Sequence, residues 1–377
     1  MQPCRPIAFD SDANHRFEWR QGCGSDRGRT PSDCTLGRPM QTVFVTGATG
    51  FIGRHLVDGL LTRGVAVRVL VRSPAKAAHL ERDGVEIVAG SLTDIDHWAA
   101  ALAGCDVVIN GAGLVAARRR ADLAAVNGDA VGMLADACTA VETPPVLVHL
   151  SSLAAAGPVP RAATPRAEAD PPRPVSAYGS SKLRGEEALA ARAGRLPITV
   201  VRPGIVFGPH DTSVAAMFQS IQWTRLHAMM GFRSPPLALI HVADLVSLVC
   251  EAATRGTRLP VLTTRPTGLG IYHACDDREF PTHAQLGRRM ARVLGTFAIV
   301  LPLPLTVAVP TAFAIETFWN LRGQPSIVSP DKIREAVAPS WAASAARARH
   351  DLGFAPAATL DDRLAETAKW LRESGRL

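Results

Sequence analysis

The chain has 377 residues, 47% hydrophobic and 20% charged, which suits a globular protein with one large core or two smaller ones. The net charge of +7 is scattered, its densest run being Arg118-Arg119-Arg120, and this argues against a nucleic-acid partner. Seven cysteines without a CxxC pair argue against a disulfide framework or a zinc site and point to a reducing, cytoplasmic setting.

In chain order, residues 1–39 are polar, glycine-rich and aperiodic. They read as a disordered leader, with no secretory signal and with Met40 directly before the first strand. From Thr42 onward, short apolar runs alternate with helical stretches, the pattern of a parallel sheet covered by helices. Strands are expected at 43–46, 65–71, 85–89, 107–110, 146–150 and 198–202, each nearly free of charge, as strands buried on both faces should be. A helix over 53–63 closes at Gly64, and a proline-rich loop over 157–174, suited to substrate contact, precedes a helix beginning near Ser176. Further on, 214–230 reads as one amphipathic helix, 245–253 as another, 270–274 as a late strand, and the chain beyond Phe280 as mostly helical. The most apolar window, 297–315, contains Pro302, Pro304 and Pro310. That excludes a spanning helix and favours a buried segment, with peripheral membrane contact as the alternative.

Thr46-Gly47-Ala48-Thr49-Gly50-Phe51-Ile52-Gly53 joins the first strand to its helix. The three glycines at this spacing supply a tight turn, close approach of a pyrophosphate, and close helix–strand packing. With the helix amino terminus behind them, they define a dinucleotide site that includes Thr49, Phe51 and Ile52. The second strand ends Val69-Leu70-Val71-Arg72-Ser73-Pro74, without the acid that would bind the ribose hydroxyls of NAD. Arg72, helped by Ser73 and Lys76, stands where a 2′-phosphate would lie, so NADP is expected in preference to NAD. No metal site is expected.

Tyr178-Gly179-Ser180-Ser181-Lys182 sets Tyr178 and Lys182 one turn apart on one helical face. A phenol with a pKa of roughly 10 is a poor base at neutral pH, and a neighbouring ammonium together with oxidised nicotinamide favours its ionised form. Such a phenol passes a proton to or from a substrate oxygen as hydride moves. Ser151 and Ser152, just past the fifth strand, are placed to hydrogen-bond the same oxygen.

These motifs, together with Asn110-Gly111-Ala112-Gly113, the run Arg202 to Pro209 and Ile240-His241-Val242-Ala243-Asp244-Leu245, resemble the extended short-chain dehydrogenase/reductase superfamily from about Thr42 onward. Within it, the closest motifs are those of 3-beta-hydroxysteroid dehydrogenase and dihydroflavonol reductase-like members of the epimerase/dehydratase family. The resemblance implies a Rossmann doubly wound α/β sheet over 40–208, with 237–276 returning to it. A smaller, mostly helical substrate lobe would comprise 209–236 and 277–377. It also implies a Ser152, Tyr178, Lys182 triad, with Ser91, Leu92, Asn110, Gly111, Ala112, Ser151, Pro203, Gly204 and Val206 beside the cofactor. Relatives often dimerise through helices corresponding to Leu123–Cys138 and Ser176–Ala193, so a homodimer is expected. Two departures concern the cofactor walls: Gly90-Ser91-Leu92 lacks the family's acid, and Asn110 stands where many members carry histidine.

Nucleotide-sugar members place an arginine near Leu237 to bind the diphosphate; Arg233 is out of register. With Trp223, Met217, Met229, Met230 and Phe232 nearby, read first as core, the balance favours an apolar secondary alcohol or ketone. The competing readings are a nucleotide-sugar epimerase or dehydratase and a non-catalytic NADP-sensing regulator, and the intact triad speaks against the latter.

Overall fold

The computed structural model describes residues 40–377 apart from 161–163, 262–267 and the side chain of Lys76. The leader expected at 1–39 lies outside the described residues, as does any help Lys76 gives to Arg72.

Strands β1 (Thr42–Thr46), β2 (Ala66–Val71), β3 (Val85–Ala89), β4 (Val107–Asn110), β5 (Val146–Leu150) and β6 (Ile198–Pro203) follow one another along the chain, each within one residue of the expected bounds. With β10 (Ile271–Ala274) they form a seven-stranded sheet in the order β10-β6-β5-β4-β1-β2-β3, and every pairing is parallel. Side chains alternate between the faces. Val43 and Val45 pack with Leu56 and Leu60 of α1 (Phe51–Leu61) and with Leu245 and Val249 of α7 (Val242–Arg255). Phe44 and Val108 pack on the other face with Leu134 of α3 (Ala130–Thr139) and Leu189 of α5 (Ala177–Ala190). Each such fully buried side chain contributes about 1.5–3 kcal/mol. The chain runs β1 to β3 one way and then crosses to β4, so the order reverses between β1 and β4. The crevice at their carboxyl ends is the place where such sheets bind ligands.

A third core joins Phe207, Phe218, Ile221, Leu239, Leu286, Met290, Leu364 and Leu371. Its helices are α6 (Ser213–Thr224), α8 (His283–Val293) and α12 (Leu360–Glu373). The single helix expected over 214–230 is corrected: α6 stops at Thr224 because Arg225 adopts a left-handed conformation (φ 63°), and β8 (Leu226–Met230) follows. β8 alternates exposed and buried residues and pairs in parallel with β11 (Ile299–Leu303), a strand inside the region read as helical.

The expectation that 297–315 is buried is also corrected. α9 (Leu305–Leu321) buries only Ala308 and Ala312, while Phe313 and Leu321 are 62% and 84% exposed. Trp223 and Phe232, read first as core, are exposed as well, whereas Met229 is buried. Among the described residues no helix is long and apolar enough to cross a membrane.

Candidate active site

The loop after β1 is built around two glycines. Gly47 has φ 74°, and a Cβ there would come within 2.7 Å of the Gly111 and Ala112 backbone. A Cβ on Gly53 would lie 2.1 Å from the Gly47 carbonyl oxygen, so no other residue permits this approach of helix to strand. α1 starts at Gly50 with no side-chain cap and no acid in its first turn. Its free N–H groups and positive dipole end therefore face the crevice, as an anionic pyrophosphate requires.

A cleft of about 390 Å³ gathers Gly47, Thr49, Gly50, Arg72, Ser91, Leu92, Gly111 and Ala112. Phe51 and Ile52 open α1, and the Phe51 ring meets His55 edge-on at 5.7 Å. Arg72 is exposed, and no acid among the described residues pairs with it. The Ser91 hydroxyl lies 3.0 Å from that of Thr93, while its carbonyl accepts the Trp98 indole N–H at 2.8 Å. These residues fit a dinucleotide. A larger cleft of about 860 Å³ lies at the opposite end of β1 and β4, lined by Gln41, Cys105 and Asp106, away from the glycines.

Two expected cofactor contacts are corrected. The Asn110 side chain is fully buried below the cleft: its oxygen accepts the Thr46 hydroxyl at 2.6 Å and its nitrogen lies 3.1 Å from His149 Nδ1. The Ser151 hydroxyl donates to Glu186, which also takes two bonds from Arg202, at 2.9 and 2.5 Å. Ser151 therefore serves a buried ion pair. Pro203 ends β6, Gly204 packs against the Ala238 carbonyl, and Val206 lies in β7 (Ile205–Phe207), apart from the glycine cleft. The described part of the proline-rich loop is likewise tied inward, with Arg166 bridging to Ala343 and the Glu168 carboxylate accepting the His273 N–H at 3.1 Å.

α5 begins where the Ser176 hydroxyl accepts the Gly179 N–H at 2.9 Å, and it carries Tyr178 and Lys182 on one face. Ser152, at the start of α4 (Leu153–Ala156), hydrogen-bonds the Tyr178 phenol and accepts the Ala154 N–H at 3.1 Å. Burial pushes Tyr178 up to about 12; the Ser152 bond opposes this and the Glu335 carboxylate adds to it. Burial also pushes Lys182 down to about 8 against the pull of Glu186, and its ammonium donates to the Leu150 carbonyl at 2.7 Å. In the chain by itself burial dominates and the phenol stays neutral.

Two further contributions escaped the sequence reading. Between α2 (Arg120–Ala124) and α3, residues Ala125–Asp129 form a π-helical turn. That turn aims Asn127 at Leu114, which it meets through both its oxygen and its nitrogen at 2.8 Å, and at the Ser181 hydroxyl at 2.9 Å. The second is α10 (Pro330–Ala336), which clamps the start of α5. Asp331 accepts the Ala177 N–H at 2.7 Å, Glu335 accepts the Ser176 hydroxyl, and the Lys332 ammonium lies 4.5 Å from the Tyr178 ring centre. Lys332 is paired with Glu335 at 2.7 Å.

A pH dependence follows from this clamp. A neutral phenol donates its proton in ketone reduction, so the rate falls as the phenol ionises on the alkaline side. Glu335→Gln removes the anion that adds to burial in holding the phenol neutral, so the alkaline limb of kcat/KM is expected to move to lower pH, while Glu335→Asp keeps the wild-type profile. An unmoved limb in the glutamine variant denies Glu335 this role.

The NAD dependent epimerase/dehydratase family matches residues 43–261, and the chain belongs to that family. Ceramide reductase of Caulobacter vibrioides (strain NA1000 / CB15N) is 31% identical over 337 residues, spanning 89% of this chain and 96% of that protein. Sterol-4-alpha-carboxylate 3-dehydrogenase, decarboxylating, of Dictyostelium discoideum is 25% identical over 302 residues, 76% of this chain and 88% of that one. The structure of MoeE5 in complex with UDP-glucose and NAD shares the fold, with a TM-score of 0.67 at 22% identity over 88% of this chain and 99% of its own. The resemblance, fold class and enzyme class read from the motifs all hold: the chain is an NAD-dependent oxidoreductase.

Proposed function

We propose that the protein transfers hydride between NADP(H) and an apolar secondary alcohol or ketone, with Ser152, Tyr178 and Lys182 as its catalytic residues. The observation that carries this is the Ser152–Tyr178 hydrogen bond on the helix that also holds buried Lys182, within a family that uses NAD. The nicotinamide supplies the hydride chemistry when bound. Tyr178 then gives a proton to the ketone oxygen, Ser152 orients that oxygen, and Lys182 places positive charge beneath it. Asn127 fixes the segment around Leu114 and Ser181 that flanks Lys182.

The apolar substrate class is supported by Leu237. It is 5% exposed and lies in the third core, where a diphosphate-binding member would need a cation. Ceramide and sterol substrates named for the relatives point the same way. A panel of hydrophobic ketones and nucleotide sugars assayed with NADPH tests the proposal. Stoichiometric release of oxidised cofactor with ketones is expected; turnover of nucleotide sugars with the cofactor retained would overturn it in favour of an epimerase.

The NADP preference rests on exposed Arg72, unpaired among the described residues, and on the absence of an acid at the end of β2. Arg72→Asp is expected to weaken NADP binding about tenfold or more and to favour NAD. Unchanged affinity for both would remove Arg72 from the site. The same reading divides the chain into a cofactor domain (40–208 with 237–276) and a substrate lobe. It includes a homodimer through α3 and α5 (checked by mass in solution) and peripheral membrane contact through 297–315.

A further inference from the structure

α9 is apolar on nearly every side, and it is the large side chains that face outward. Its buried contacts are the two small residues Ala308 and Ala312, packed with Met230, Leu303, Ile333 and Val337. Its large side chains, among them Leu305, Val307, Phe313, Phe318, Trp319 and Leu321, are exposed. The preceding strand adds Ile299 and Leu301, exposed by 54% and 43%. A contiguous apolar surface of this kind marks an interaction site.

The charges around it are few, two arginines against one acid. Glu316 is the only acid between residues 297 and 322, and Arg322 closes the helix with its guanidinium 4.4 Å above the Phe318 ring. At the other end, the site of a Cβ on Gly231 is 3.9 Å from Leu305, and the next two residues are exposed Phe232 and Arg233. Aromatic side chains rimmed by arginine match the boundary between acyl chains and anionic headgroups. At 17 residues the helix is about 26 Å long and broken by Pro310, so it suits lying on a bilayer and not crossing it.

We propose that α9 and β11 dock the protein on an anionic lipid bilayer, from which an apolar substrate reaches Tyr178. The partner's chemistry rests on the proposed substrate class; the surface itself does not. The contact also lies next to the catalysis, because Ala308 and Ala312 pack with Ile333 of α10 and with Val337 just after it, and α10 is the helix that clamps Ser176 and Ala177 and sets Lys332 over Tyr178.

The test is sedimentation of the full chain with phosphatidylcholine vesicles, with and without phosphatidylglycerol, alongside NADPH binding and mass in solution. Wild-type protein is expected to sediment with the vesicles, more strongly when phosphatidylglycerol is present. A Phe313→Ser, Phe318→Ser, Leu321→Ser variant should bind vesicles about a hundredfold more weakly with its NADPH binding and thermal unfolding unchanged. Wild-type protein left in the supernatant, or a variant that binds as well, overturns docking. Self-association lost in the variant, without vesicle binding, assigns the face to a second copy and overturns docking too. Vesicle binding with no ketone reduction in the panel above would instead fault the proposed reaction.

Discussion

Tyr178→Phe is expected to lower turnover in ketone reduction by about 10²- to 10⁴-fold while leaving NADP binding unchanged. The variant keeps the ring, and with it the contact to the Lys332 ammonium at 4.5 Å, but removes the hydroxyl that is bonded to Ser152 and can act as an acid. Because burial holds the phenol up near 12, it carries its proton throughout the neutral range, as an acid for ketone reduction must. In the opposite direction the phenol has to ionise. That step becomes accessible through the positive charge of Lys182 and of the oxidised nicotinamide, so oxidation should accelerate with rising pH. Wild-type turnover in the phenylalanine variant would move the proton transfer to another residue.

The second large effect concerns stability. Glu186 and Arg202 form a buried ion pair, their side chains 7% and 3% exposed, with Ser151 donating to the same carboxylate. Removing one member leaves the other charged and unpaired in the core, which costs about 3–5 kcal/mol. Glu186→Ala should therefore show a much lower urea midpoint, and the Glu186→Leu, Arg202→Met pair should recover most of the loss. Equal midpoints for wild type and the single variant would show that water or another group satisfies Arg202. The pair also has a functional consequence, since it joins the middle of the catalytic helix to the end of β6, where Pro203 and Gly204 begin the turn into β7.

The sheet was legible because strands buried on both faces must be continuously apolar. Val107–Asn110 and Val146–Leu150 fall on their expected bounds for that reason. The glycine loop and the Tyr178–Lys182 pair were legible because their chemistry depends on spacing along the chain. What escaped depends on distance through space. Nothing local announces that Glu186 meets Arg202, that α10 reaches Ser176, or that a π-helical turn aims Asn127 at Ser181. β8 was read as helix because its alternation lasts only five residues and follows a true helix. α9 was read as buried because hydrophobicity alone does not distinguish a helix that faces the core from one that faces lipid. Only the two alanines of its inner face, known once the packing is known, tell them apart.

The most direct test of the catalytic assignment is a crystal structure of the protein with NADP and a ketone-like inhibitor. The pyrophosphate is expected at Gly50 and the start of α1, with the Tyr178 hydroxyl about 2.6–3.2 Å from the inhibitor oxygen and the reacting carbon facing the nicotinamide. A nicotinamide seated away from Tyr178, or an inhibitor oxygen held by other groups, would contradict it.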